Sequence, residues 1–206
     1  MDMTRRVLPL MAASPNGDGS HNVAAGFLVM FDNQTYLMTV AHLATGQKSQ
    51  SDDWGKWADE VHYAPGGQSA NVLPLFNVGS FGDRRPRFRF LRAQDVPNIL
   101  MDVIMLPLEP GELATEAADI FDLPNEWAPT YSRGQDVYMA GCQPWPDLKV
   151  QSHSLTEPGI VHLVDPPQTP GFSGGPVVDA AGLLVAWPSV QMDRTTLATA
   201  NSLRRH

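Results

Sequence analysis

A serine enclosed by glycines, Gly171-Phe172-Ser173-Gly174-Gly175-Pro176, is the part of this sequence with the most chemistry in it. A serine hydroxyl attacks a carbonyl only when a neighbouring base takes its proton. The oxyanion that then forms needs donors already aimed at it. Glycines at 171 and 174 allow the tight backbone path that turns the Gly171 and Ser173 N–H groups toward one small hole. Upstream, the run Tyr36-Leu37-Met38-Thr39-Val40-Ala41-His42 ends on a histidine, a suitable proton acceptor. Asp102 heads the aliphatic run Val103-Ile104-Met105-Leu106, and a carboxylate there could hold the imidazole in one tautomer. Asp95 and Asp83 are fallback carboxylates, although neither begins an aliphatic strand. Together the three would carry acyl transfer, with Ser173 attacking, His42 shuttling the proton and Asp102 orienting His42.

Groups this far apart in sequence need a scaffold, and the scaffold reads as β. Eighteen prolines and 17 glycines divide the chain into short apolar runs. Turn clusters such as Ser14-Pro15-Asn16-Gly17 and Ala64-Pro65-Gly66-Gly67 punctuate them, a pattern of sandwiches and barrels. Strands are expected at residues 23–31, 35–40, 71–78, 87–91, 103–108, 136–141, 160–164, 177–179 and 183–187, with a lead-in strand over 7–13. Residues 109–127 carry six acidic side chains and no basic one, with a short helical stretch expected around 115–121. A second short helix is expected over 194–205, where Arg204 and Arg205 would suit the helix dipole.

Other constellations carry less. Gly171, Ser173 and Gly175 also fit the nucleophile elbow of α/β-hydrolases, but that fold needs an acid and then a histidine after the serine. Only His206, the last residue given, follows Ser173. There is no His-Glu-x-x-His, no cysteine pair and no calcium-loop spacing, so neither metal nor cofactor is expected. His21, His62, His153, His162 and His206 read as surface or core residues. Arg84, Arg85, Arg87, Arg89 and Arg92 crowd five basic residues into nine positions, interleaved with Phe88 and Phe90. That stretch fits a solvated hairpin face or a docking patch for an acidic partner. Trp54 and Trp57 fit the wall of a substrate cleft or a cap on a barrel. Cys142 reads as a small buried hydrophobe.

These motifs resemble the trypsin/chymotrypsin-like serine protease family. The segment ending at His42 is similar to the family's apolar Thr-Ala-Ala-His, Asp102 to its catalytic-aspartate strand, and Gly171 to Pro176 to its Gly-Asx-Ser-Gly-Gly-Pro. Among weaker similarities, Ala25 to Val29 resembles the strand that enters the first barrel, and Gly141-Cys142-Gln143-Pro144 is similar to the Gly-Tyr/Asn-Pro of bacterial members. The spacing of Asp165 and Pro170 before Ser173 resembles the bacterial HtrA/Deg branch. So does the segment Thr196 to Arg204. The resemblance implies an all-β double β-barrel of chymotrypsin type with a short C-terminal helix. It implies an N-terminal barrel over 1–108 carrying His42 and Asp102, a connector over 109–131, and a C-terminal barrel over 132–206 carrying Ser173. The reaction implied is endopeptidase hydrolysis through an acyl-enzyme, with the Gly171 and Ser173 amides as oxyanion hole. Pro167 and Gln168 would floor the primary specificity pocket, and Trp187, Pro188 and Val190 would wall it. With no acid at that floor, a small or apolar P1 residue is expected. Phe172 stands where animal members carry an acid that pairs with a cut amino terminus, and Ile-Val-Gly-Gly is missing from the start. Activation by that ion pair is therefore not expected, nor is a PDZ domain. Pro188 also lacks a donor in the strand that would pair with substrate.

Composition bounds the partners. The net charge of −8 argues against nucleic acid and anionic membranes. No run approaches the ~18 apolar residues of a membrane span. Arg5-Arg6 with Val7 to Ala13 faintly resembles a signal peptide, but the apolar part is short and contains Pro9. A single cysteine excludes an internal disulfide and suits a reducing compartment. A cytoplasmic protein with a protein or peptide substrate, and with room for an activating protein partner, is the expectation. The alternative from another class is a silent pseudoprotease acting as a binding or signalling module.

Overall fold

The structure is a computed structural model. It describes residues 2–47, 52–65, 70–79, 82–92, 100–113, 117–123, 125–128, 131–157, 161–165, 169–191 and 194–198. The chain forms β1 (Leu8–Ala13), β2 (His21–Phe31), β3 (Gln34–Thr39), a one-turn helix α1 (His42–Thr45), β4 (Glu60–Tyr63) and β5 (Asn71–Pro74). These are followed by β6 (Phe76–Val78), β7 (Arg84–Pro86), β8 (Arg89–Arg92), β9 (Leu100–Pro107) and β10 (Ile120–Asp122). The remaining strands are β11 (Asp136–Cys142), β12 (Leu148–Glu157), β13 (Val161–Asp165), β14 (Val177–Val178), β15 (Leu184–Gln191) and β16 (Arg194–Ala198). The first set makes a curled sheet in the order β5-β4-β1-β2-β3-β9-β8, and the last six strands close into a barrel, β11-β12-β13-β16-β15-β14.

The long strand β2 organises the first sheet. It pairs with β1 from His21 to Gly26 and with β3 from Phe27 to Phe31. Its turn into β3 uses Asp32 and Asn33, both at positive φ (50° and 60°), a two-residue hairpin of the type that matches strand twist. Alternation along β2 sends successive side chains to opposite faces. Ala24 and Leu28 face the interior of the first sheet with Leu8, Leu10, Leu37, Val61, Tyr63 and Ile104. Ala25, Phe27 and Val29 face the other way, onto a cluster that includes Ala140, Val178 and Leu184 of the second barrel. A third cluster, with Val137, Met139, Leu155, Phe172, Val177 and Val185, fills that barrel.

Several expectations need correction. The expected short C-terminal helix over 194–205 is not observed. Arg194–Ala198 is a strand, because the barrel closes only when β16 fills the space between β13 and β15. Residues 199–206 lie outside the described residues. The expected helical stretch near 115–121 gives way to β10, which pairs in parallel with Leu28, Val29 and Met30 on the edge of β2 that β1 leaves after Gly26. The expected strand over 71–78 breaks at Leu75 into β5 and β6. Strands β4, β7 and β12 also lie outside the expected set.

The arginine stretch divides: Arg85 and Arg89 are exposed, as a solvated face expects, whereas Arg84 and Arg87 are drawn into the structure. Arg84 donates to the Trp54 and Trp57 carbonyls (2.5 and 3.0 Å), pairs with Asp59 at 3.0 Å and stacks over Phe76. Arg87 grips both oxygens of Glu112 at 2.6 and 2.8 Å. Arg89 lies over the Tyr36 ring. Trp57 is buried and stacked on Phe88, with centroids 5.0 Å apart, and Trp54 packs edge-on against both rings. The two tryptophans cap the first sheet.

Candidate active site

β3 ends at Thr39, and the chain turns through Val40 and Ala41 into α1, which begins on His42. The turn closes at Gly46, whose N–H reaches the His42 carbonyl at 2.8 Å. β9 runs antiparallel beside β3 with Ile104 opposite Thr39, so its earlier residues extend past the end of β3 toward His42. Asp102 lies on that extension. β9 begins at Leu100, so Asp102 is its third residue rather than the residue ahead of it.

One Asp102 oxygen accepts the His42 backbone N–H at 2.8 Å, and the other lies 2.6 Å from His42 Nδ1. The carboxylate therefore fixes this residue by main chain and ring together. A proton on Nδ1, shared with the carboxylate, leaves Nε2 as the acceptor nitrogen. The Asp102 side chain is one-tenth exposed and that of His42 about one-quarter, so the ring keeps an open side.

Ser173 comes from the other barrel on the loop between β13 and β14, and it is 4% exposed. This loop is stitched to the first sheet at the candidate nucleophile: the Ala25 N–H donates to the Ser173 carbonyl at 2.8 Å. Gly174, at φ 80°, sits so close that a Cβ would overlap the Ala25 carbonyl oxygen and lie 2.8 Å from Thr39 Oγ1 and 3.0 Å from Val40 N. Thr39 Oγ1 in turn donates to the Ala25 carbonyl at 2.7 Å. The serine loop thus lies against Thr39 and Val40, the residues that lead directly to His42. Ala25 and Thr39 were not singled out as site residues. The sequence signals for them are the similarity at Ala25 to Val29 and the place of Thr39 in the segment ending at His42.

Gly171 adopts φ 89°, and the Phe172 N–H reaches back to the Thr169 carbonyl at 3.4 Å. With Pro170 at the second position, Thr169 to Phe172 is a type II turn, which needs positive φ at its third residue. The Gly171 carbonyl is held by the Cys142 N–H at 2.9 Å. A Cβ on Gly171 would overlap the Cys142 carbonyl oxygen. Cys142 is buried, and burial, helped by the charge of Asp147, pushes its thiol up to about 12.

The expected specificity residues are reached less fully. Pro167 and Gln168 lie outside the described residues. Trp187, Pro188 and Val190 lie on β15, whose backbone is described. β15 pairs with β14 at Leu184 and Ala186 and with β16 from Trp187 to Gln191. Among the described residues, its stretch after Ala186 is thus paired on one edge, in the segment where substrate pairing is expected.

No protein-family model matches the chain, and no curated protein matches it in sequence. Solved structures do match it. The serine endoprotease from Yersinia pestis superposes with a TM-score of 0.61 at 14% identity, over 98% of this chain and 61% of that one. The Rv3671c protease from M. tuberculosis, in its active form, gives 0.61 at 17% identity, over 98% and 78%. The HtrA-type protease AlgW with tripeptide gives 0.59 at 14% identity, over 97% and 57%. The chain thus spans less than two thirds of two of these structures. It has the chymotrypsin-type fold of the HtrA/Deg serine proteases.

Proposed function

We propose that this protein is a serine endopeptidase. Ser173 attacks the scissile carbonyl, His42 Nε2 takes its proton and returns it to the leaving amine, and Asp102 holds the imidazole and stabilises its charged form. The Gly171 and Ser173 amides bind the oxyanion. The acyl-enzyme is then released by water. The observation that carries this reading is the double grip of Asp102 on His42, at 2.8 Å to the main chain and 2.6 Å to the ring.

The working unit on this reading is a single protease domain, residues 1–108 and 132–206 joined by 109–131. Its substrate is a peptide or protein segment laid along β15, with Trp187, Pro188 and Val190 beside it and Pro167 and Gln168 at the pocket floor. Among the described residues, no helix is long and apolar enough to cross a membrane. The lone cysteine suits a reducing compartment, and the reading places the enzyme in the cytoplasm. A fluorophosphonate probe tests the chemistry, since it needs an activated serine. Wild type should label and Ser173→Ala should not, with turnover falling by roughly 10⁴–10⁶. Labelling that persists in the variant would refute the assignment of the nucleophile.

A further inference from the structure

We infer that Phe172 is a positioning residue. It locks the oxyanion-hole turn from within the barrel core, so that neither an amino-terminal ion pair nor a partner protein is needed to form it. This rests on the serine-protease reading and specifies how that site is regulated. The ring of Phe172 is fully buried, among Val137, Met139, Leu155, Val177 and Val185. Its seat is made by Gly141, where a Cβ would fall 2.5 Å from both the Phe172 Cα and its Cγ.

The main chain of the same residue joins two turns. Its N–H closes the Thr169 to Phe172 turn at 3.4 Å, and its carbonyl accepts the Gly175 N–H at 3.2 Å, closing the turn around Ser173. The proposed donors, the Gly171 and Ser173 amides, are therefore the residues on either side of the anchored ring. A type II turn differs from type I by rotation of its central peptide, here Pro170–Gly171, and that rotation redirects the Gly171 N–H. The turn is tied at Gly171, whose carbonyl accepts from Cys142, and at Phe172, whose ring is sunk in the core. An acidic residue at 172 would need a cation to hold it in such a place. A phenyl ring needs only the cavity it already fills.

The test compares wild type with Phe172→Ala and Phe172→Leu, counting only folded molecules by active-site-independent means such as near-UV circular dichroism. Expected is a fall in kcat and in the fluorophosphonate labelling rate of ~10-fold or more in Phe172→Ala, towards the ~10²–10³ of a lost oxyanion donor. KM should change little, and Phe172→Leu should restore most of the rate. Equal kcat per folded molecule in Phe172→Ala would overturn the inference while leaving the protease reading intact.

Hydrogen exchange over residues 169–176 in the Ser173→Ala background is independent of catalysis. Adding Phe172→Ala there should speed exchange in that segment beyond any change elsewhere, and unchanged local protection would overturn the inference even if the protein proved catalytically silent. Should Phe172→Ala fail to fold, Gly141→Ala pushes on the same ring and should lower kcat in the same way. A folded Gly141→Ala with wild-type kcat and labelling would count against the lock.

Discussion

The residues around the candidate nucleophile are specified by contact rather than by charge, and Cys142 is an example with a measurable consequence. Its backbone flanks Gly171 on both sides, through its N–H and its carbonyl oxygen, while its thiol is buried and raised from an ordinary value of 9.0 to about 12. The folded state accommodates the neutral thiol and disfavours the thiolate. A group raised in this way contributes its full stability below the unfolded value, near 9, and loses it as pH rises toward 12. The protein should therefore lose stability on the alkaline side from pH ~9 upward, and Cys142→Ala should flatten that limb. Urea unfolding as a function of pH measures it. Equal alkaline slopes for the two proteins would show that the thiol is not the group responsible. At this scale His42, Asp102 and Ser173 were legible as candidates because each stands in a short motif with a chemical reason, and the first two do meet. Phe172 was visible only as a missing acid, since its burial depends on a glycine 31 positions upstream.

Elements were legible where a strand carries its own signal and obscure where pairing creates the strand. β2, β3, β9 and β11 announce themselves by apolar runs between turn residues. β10 and β16 do not: Ile120–Asp122 is a strand because β2 has a vacated edge, and Arg194–Ala198 is one because the barrel has a gap. The arginines around β7 and β8 were obscure for a related reason, since their partners come from distant segments. Arg87 is the most enclosed of these pairs, with a side chain 11% exposed against Glu112 at 22%. Its guanidinium also donates to the Pro74 carbonyl at 3.0 Å, and Glu112 accepts the Glu109 N–H at 2.7 Å. Breaking such a pair from one side leaves a poorly hydrated carboxylate behind. Arg87→Met should cost about 2–3 kcal/mol, and adding Glu112→Leu should recover part of it, as coupled neighbours do. Denaturant midpoints decide the matter, and a loss below ~0.5 kcal/mol would return Arg87 to the class of surface charges.

At the scale of the whole molecule, the proposed site exists only where the two β units meet, so the seam between them should govern activity as well as stability. Phe27 is at its centre. It is fully buried, meets Phe121 edge-to-face with centroids 5.7 Å apart, and shares its cluster with Met38 and Val103 on one side and Ala140, Val178 and Leu184 on the other. Arg6 stacks over the Phe121 ring and pairs with Glu126 at 2.6 Å. Residues 126–128 then add to β15 through the bond of Leu184 N–H to the Glu126 carbonyl and of Ala128 N–H to that of Leu184. With so much apolar surface shared, the two units should melt as one, with calorimetric and van't Hoff enthalpies in agreement. Phe27→Ala should cost about 3–5 kcal/mol. The loss should not be uniform, because Phe27 lies two residues from Ala25, whose N–H holds the Ser173 carbonyl and whose carbonyl receives Thr39. Serine labelling should therefore fail at temperatures where near-UV circular dichroism still reports a folded protein. If labelling instead persisted to the melting point of Phe27→Ala, the seam would be a matter of stability alone, and the alignment of Ser173 with His42 would have to be set within the loops themselves.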